Sequence, residues 1–277
     1  MVQRAVLGAI GTLVLTAVGG LACSHTRAIA PRPAALRGHI ARPWTLNPPA
    51  ADRDAAIVRV ETDGAVCTGA LIAPKLVLTA HHCVAARDEQ GLRLSQDLPA
   101  EQVEVGLGGG EIPWSRVTVR AILTPPCGYR AGHGDVAILV LSRPLIGMPT
   151  LRVRLDAPPA VGQSVYGVGF GNCGADDEHS RRVERRGGVV ERVGVGAFFA
   201  SASTCPGDSG GPAREAESGV VIGVVSASDM DENDDTPDPT FFTRLDMWGS
   251  LFSAAELLAA GGNRAELPAI HGCELEE

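Results

Sequence analysis

The sequence predicts an all-β domain closed by a single C-terminal helix, and three observations carry that prediction. Aromatic residues make up only 4% of the chain while 34 glycines and 19 prolines punctuate it, a pattern that suits short strands joined by turns better than a helical bundle. From residue 55 onward the apolar runs are short, alternating or continuous, and they follow no fixed repeat. Only residues 246–260, "DMWGSLFSAAELLAA", carry apolar residues at helical spacing: Trp248, Leu251, Phe252, Leu257 and Leu258.

A chain of 277 residues with 45% hydrophobic content can bury a sizeable core, as one domain of about 200–250 residues or two small ones. The formal net charge is -8, from 24 basic and 32 acidic residues, with no basic run. That balance excludes nucleic acid as an expected partner, since nothing is available to neutralise phosphates.

Taken in order, residues 1–22 supply one arginine and then an uncharged apolar stretch ending in small residues, which reads as a signal peptide. A membrane-spanning anchor is the alternative, because the stretch is about long enough to cross a bilayer. Cys23 follows and resembles the lipid-accepting cysteine of bacterial lipoproteins, although Gly20 stands where those proteins usually have leucine. The expected location is extracytoplasmic, either secreted or membrane-anchored through a lipid on Cys23. Residues 23–50, rich in Pro, Arg and Ala, read as a tether or processed leader.

The expected domain spans residues 51–260. Its strand signals are "AAIVRV" (55–60), "CTGALIA", "KLVLTA", "VEVGLG", "RVTVRAIL", "DVAILVL", "QSVYGVGF", "GGVVERVGVG" and "GVVIGVVSAS". The helix follows, then a polar tail over 261–277. Of seven cysteines, setting aside Cys23 leaves an even six in a compartment that permits disulfides. The acidic loop "DMDENDDTPD" (229–238) is oxygen-rich enough to consider calcium, but its spacing fits no calcium motif and a solvated surface loop is the expectation.

Three stretches carry chemistry. In "CPGDSGGP" (205–212), Ser209 is flanked by Gly207, Gly210 and Gly211, which let the backbone turn its N–H groups toward a developing negative charge. By itself the stretch could be only a tight turn. "LTAHHC" offers His81 and His82 as bases, and in an extended chain neighbouring side chains face opposite ways, so one should be a bystander. Asp135 opens the apolar run "DVAILVL", where a partly desolvated carboxylate is tolerable if an imidazole donates to it; capping the strand end is the alternative. A serine hydroxyl needs a base, and the base needs a carboxylate to fix its tautomer.

These blocks resemble the trypsin and chymotrypsin family of serine endopeptidases over residues 55–260. "CTGALIAPKLVLTAHHC" and "DVAILVL" are similar to the family's histidine and aspartate blocks, and "GDSGGP" is identical to its nucleophile block. The resemblance implies two six-stranded antiparallel β-barrels packed together with the active site between them, and a C-terminal α-helix. It selects His82, which precedes the cysteine, and leaves His81 and His133 as a polar filler and a loop residue. Ser209 is then the nucleophile, His82 the base, Asp135 its orienting carboxylate, and the amides of Gly207 and Ser209 the oxyanion hole. Cys67 and Cys83 are expected to form a disulfide. Among the three connectivities open to the other four cysteines, the expected pairs are Cys173 with Cys205 and Cys127 with Cys273.

The resemblance also assigns the first substrate pocket: Ser203 at its floor, Ser226, Ala227 and Ser228 along one wall, Thr240 on the other. With no carboxylate at the floor, cleavage after Arg or Lys is disfavoured, and small or medium apolar residues are expected. Protein or peptide substrates follow, with no cofactor and no metal; the sequence carries no reading of oligomeric state. One departure stands out. Members of the family it resembles are usually activated by a cut before an Ile-Val-Gly-Gly segment whose new ammonium pairs with the aspartate beside the catalytic serine, here Asp208. No such segment occurs, "HIARPW" (39–44) being a poor candidate, so Asp208 needs another cation. A catalytically silent or unactivated family member, binding proteins through the same cleft, is the alternative to an active enzyme.

Overall fold

The structure, a computed structural model, describes residues 52–273 apart from 53, 64, 89, 91–92, 130–131, 175–180 and 229–239. The signal peptide, Cys23, the leader and the acidic loop therefore lie outside the described residues. At Ala227 and Ser228 the backbone alone is described.

The first half of the domain supplies β1 (Ile57–Thr62), β2 (Ala65–Ala73), β3 (Leu76–Thr79), β4 (Ala85–Arg87), β5 (Arg93–Asp97), β6 (Glu104–Leu107), β7 (Ser115–Leu123) and β8 (Ala137–Leu141). Six of these close an antiparallel barrel in the order β1-β2-β3-β8-β7-β6, while β4 and β5 form a separate hairpin. Strand β7 alternates buried and exposed positions as far as Arg120, as expected of a strand with one wet face. Strand β8 is buried at every position, because the barrel interior takes one face and the C-terminal helix covers the other.

The second half supplies β9 (Ser164–Gly169), β10 (Val183–Glu184), β11 (Gly188–Val193), β12 (Ala197–Ala200), β13 (Pro212–Glu215), β14 (Val221–Ser228) and β15 (Thr240–Arg244). The sheet runs β10-β9-β11-β12-β15-β14-β13, and pairing of β13 with β9 closes its six longer strands into a second antiparallel barrel. Its interior holds Val165, Val190, Phe198, Ile222, Val225 and Phe242, with the Phe198 and Phe242 rings stacked at 5.1 Å between centroids.

Helix α1 (Gly249–Ala259) buries Leu251, Phe252, Ala255 and Leu258, while Leu257 is half exposed. The i, i+4, i+7 stripe from Leu251 explains the difference, since Leu257 lies off that face. Disulfides join Cys67 to Cys83, Cys127 to Cys273 and Cys173 to Cys205. Among the described residues no helix is long and apolar enough to cross a membrane.

Candidate active site

Both barrels contribute to one site, joined by hydrogen bonds that fix their relative register. Thr68 on β2 donates its amide to the Ser209 carbonyl (2.8 Å) and its hydroxyl to the Gly207 carbonyl (2.7 Å). The same hydroxyl accepts the Phe170 amide from the second barrel at 2.9 Å. The Ser209 loop of the second barrel is thereby bolted to the strand that carries Cys67, whose disulfide reaches the residue after His82.

The loop can approach this closely only because of its glycines. Gly210 has φ +81°, and a Cβ there would lie 2.1 Å from the Thr79 hydroxyl and 2.4 Å from the Thr68 carbonyl. Gly207 has φ +100° and rests against the backbone of Gly171, so both positions demand glycine. Among the described residues, no protein acceptor takes the amide hydrogens of Gly207 or Ser209.

The two histidines occupy a single 3-10 turn, His81–Cys83, rather than an extended strand. With about three residues per turn, neighbouring side chains diverge by about 120° instead of pointing oppositely. Each ring finds its own carboxylate. His81, 1% exposed, sets Nε2 2.8 Å from Asp97 Oδ1, and Thr124 donates to the other oxygen of Asp97 at 2.9 Å. The His81 ring also meets Tyr129 edge-on at 4.8 Å. His82 sets Nδ1 2.7 Å from Asp135 Oδ2 and donates its backbone amide to Oδ1 at 2.9 Å.

Asp135 is fully buried and also accepts the hydroxyl of Ser226. Burial alone pushes this carboxyl up, but the His82 ring, the Ser226 hydroxyl and the His82 amide together hold it below the ordinary aspartate range. A carboxylate in that state accepts the Nδ1–H of His82, which leaves Nε2 with its lone pair. Ser226, expected in a pocket wall, thus also braces Asp135; it sits where β14 breaks register against β15, between Val225 and Ala227.

The ring of His82 and Ser209 line one cavity of about 390 Å³, together with Pro206, Gly207 and the Cys67–Cys83 disulfide. No hydrogen bond joins the two side chains, and such bonds are commonly long before substrate arrives. Donor atoms of Cys67, His82 and Cys83 lie within 4.8 Å of one another. Both sulfurs are spent on the disulfide, so neither offers a thiolate to a metal.

The other expected residues are distributed as follows. Ser203 is half-buried and donates its amide to Arg186. Thr240 is fully buried; its hydroxyl donates to the Ala202 carbonyl at 2.6 Å and meets the Thr204 hydroxyl at 3.0 Å. Ala227 and Ser228 pair along the backbone with Phe241 and Thr240. His133 packs beside Trp248 at 5.4 Å, where burial holds its pKa below the usual histidine value against a smaller opposing contact from Gly272.

Asp208, also buried, finds its cation within the chain. Arg185, between β10 and β11, sets Nε 2.6 Å from Asp208 Oδ2 and Nη2 3.2 Å from Oδ1. Sequence reasoning anticipated the need for a cation there but not its source.

The sequence matches the trypsin family across residues 47–249. The chain belongs to the trypsin family. It is a serine endopeptidase by that membership, acting on proteins or peptides. The cercarial protease of Schistosoma mansoni is 28% identical over 207 residues, spanning 61% of this chain and 73% of that protein. Among solved structures, a Glu endopeptidase bound to MPD superposes with TM-score 0.58 at 17% identity, covering 75% of this chain and 92% of the other. Neuropsin, a serine protease expressed in the limbic system of mouse brain, superposes with TM-score 0.56 at 18% identity over 72% and 93%. At these identities the structures speak to the fold, which is the trypsin fold of paired six-stranded barrels.

Proposed function

We propose that this trypsin-family chain cleaves peptide bonds with Ser209 as nucleophile, His82 as general base and acid, and Asp135 as the carboxylate that fixes His82. The observation that carries the reading is the buried His82–Asp135 pair at the wall of the cavity that also holds Ser209. In the reaction, His82 Nε2 accepts the proton of Ser209 Oγ as the oxygen adds to the scissile carbonyl carbon. The two free amides of Gly207 and Ser209 receive the resulting oxyanion, and each such donor is worth about 10²–10³ in rate. His82 then returns the proton to the departing amine, leaving an acyl-enzyme, and water repeats the sequence to release the acid.

The first pocket reading is cleavage after small or medium apolar residues and not after Arg or Lys. Thr240 supports it, since a buried threonine held by Ala202 and Thr204 closes depth that glycine would leave open. Ser203 offers no counter-charge for a cationic side chain. We further infer a bacterial, extracytoplasmic protein, secreted or attached to a membrane through Cys23; the three disulfides favour an oxidising compartment.

A fluorophosphonate probe tests the mechanism. Wild type is expected to label and Ser209→Ala is not, with His82→Ala slowed by several orders of magnitude. If neither the full chain nor a trimmed form labels, the chain is a silent protein-binding member of the family. Peptides varied only at the residue before the cut test the pocket, with alanine or valine expected to exceed arginine.

A further inference from the structure

Asp208 sits between the two residues whose amides are free, so whatever holds its side chain also sets the direction of those amides. It is 2% exposed and accepts the Gly171 amide at 2.7 Å and the Cys205 amide at 2.9 Å. Two neutral donors do not neutralise a buried carboxylate, which needs a counter-charge or must leave for water. The guanidinium of Arg185 supplies that charge. Its side chain is 9% exposed, with Nε at ion-pair distance from Oδ2, Nη2 shared between Oδ1 and the Gly171 carbonyl, and Nη1 3.2 Å from Cys173 Sγ.

The surroundings leave the carboxylate little other place to go. A Cβ at Gly169 or Gly171 would collide with the Asp208 carboxylate at 2.2 and 2.5 Å. The Cys173–Cys205 disulfide ties the segment after Gly171 to the start of the nucleophile loop. The guanidinium therefore closes a cage already made of backbone and a covalent staple.

We propose that Arg185 is the positioning residue of the oxyanion hole: an internal cation that holds Asp208, and through it the Gly207 and Ser209 amides, without any ammonium created by cleavage. This assignment rests on the hydrolytic reading above. A guanidinium keeps its charge across the whole working pH range, so the hole should stay assembled at alkaline pH where an amine would lose its proton.

The experiment uses the full chain and an alanyl peptide anilide, with steady-state kinetics and the rate of fluorophosphonate acylation read together. Arg185→Ala is expected to lower kcat and the acylation rate about 10- to 100-fold, short of or near the loss of one donor outright, with KM changed less than about threefold because ground-state binding is untouched. Millimolar guanidinium, below denaturing levels, should restore part of that loss by refilling the cage. Arg185→Lys should keep more activity than the alanine variant and lose it, relative to wild type, as pH rises toward the ordinary lysine pKa of about 10.4. Should Arg185→Ala fail to fold, the lysine variant decides: a new alkaline limb supports the assignment and a profile parallel to wild type overturns it. Retention of kcat within about twofold by Arg185→Ala also overturns it. An inert wild type would sink the hydrolytic reading itself, and this assignment with it, which is a different outcome from an active wild type with an equally active variant.

Discussion

Replacing Ser226 by alanine isolates one of the three groups that hold the Asp135 carboxylate. The hydroxyl donates to Oδ2, the atom that also accepts His82 Nδ1, and the carboxylate is 2% exposed. A hydrogen bond to a buried charge contributes about 1.5–3 kcal/mol, so that is the expected loss of unfolding free energy at pH 7. The pH dependence has a definite sign. The folded carboxyl lies below the ordinary aspartate range, so its contribution is complete above the unfolded aspartate pKa of about 3.9 and fades as pH falls through the folded value. The difference between Ser226→Ala and wild type should therefore be full at pH 7 and shrink in acid, where both proteins protonate Asp135. Urea unfolding at pH 7 and at successive acid pH values measures it. Activity should fall as well, by less than for an Asp135→Asn change, which upsets the His82 tautomer at a cost of about 10⁴ in kcat. A stability difference that is constant with pH, or an unchanged enzyme, would refute the claim that Ser226 acts through the charge of Asp135.

Three other outcomes are expected. Thr240→Gly should move the preferred residue before the cut from alanine toward leucine or phenylalanine by about 10-fold or more, the usual scale for a methylene-sized change of pocket; adding Ser203→Asp to it should bring in arginine and lysine substrates. The Cys127–Cys273 bridge spans a sequence separation of 146, so replacing both by serine removes about 5 kcal/mol of chain-entropy stabilisation and should lower the melting temperature far more than any single surface change. Burial holds His133 below its ordinary pKa, so the stability it brings is present above about pH 6.5 and declines below. His133→Gln should flatten the fall in urea midpoint between pH 7.5 and 5.5, and an unchanged slope would count against that account.

How much of this was legible in the sequence follows from which interactions are local. Strands such as β8 and β14 announce themselves because their apolar runs are long enough to carry a period or a continuous stretch. Strand β12, "AFFA", and the two residues of β10 are too short to show either, and β13 opens on Pro212, a residue that normally argues against a strand. The glycine-framed Ser209 and the His82 block could be read because their backbone demands are encoded within a few positions. The geometry of His81 departs from expectation for the converse reason: the alternation rule applies to strands, and the residues fold into a 3-10 turn that sends each ring to its own carboxylate, 16 and 53 residues further on.

Arg185 shows where such reading stops. It belongs to "RRVERR" (181–186), a run that by composition alone reads as a solvated surface face. Arg181 keeps to that reading, pairing with exposed Glu111, while Arg182, its side chain 9% exposed, turns inward to Asp52 at 2.5 Å. The path from β10 into β11, antiparallel to β9 and alongside Gly171, turns Arg185 inward to Asp208. The need was visible from the aspartate side, because a buried carboxylate beside Ser209 implies a cation. The supplier was not, because a guanidinium on a long flexible stem reaches its partner through tertiary structure that no local spacing encodes. A substitution that keeps the charge but changes the reach, Arg185→Lys, therefore tests the fold and the chemistry together.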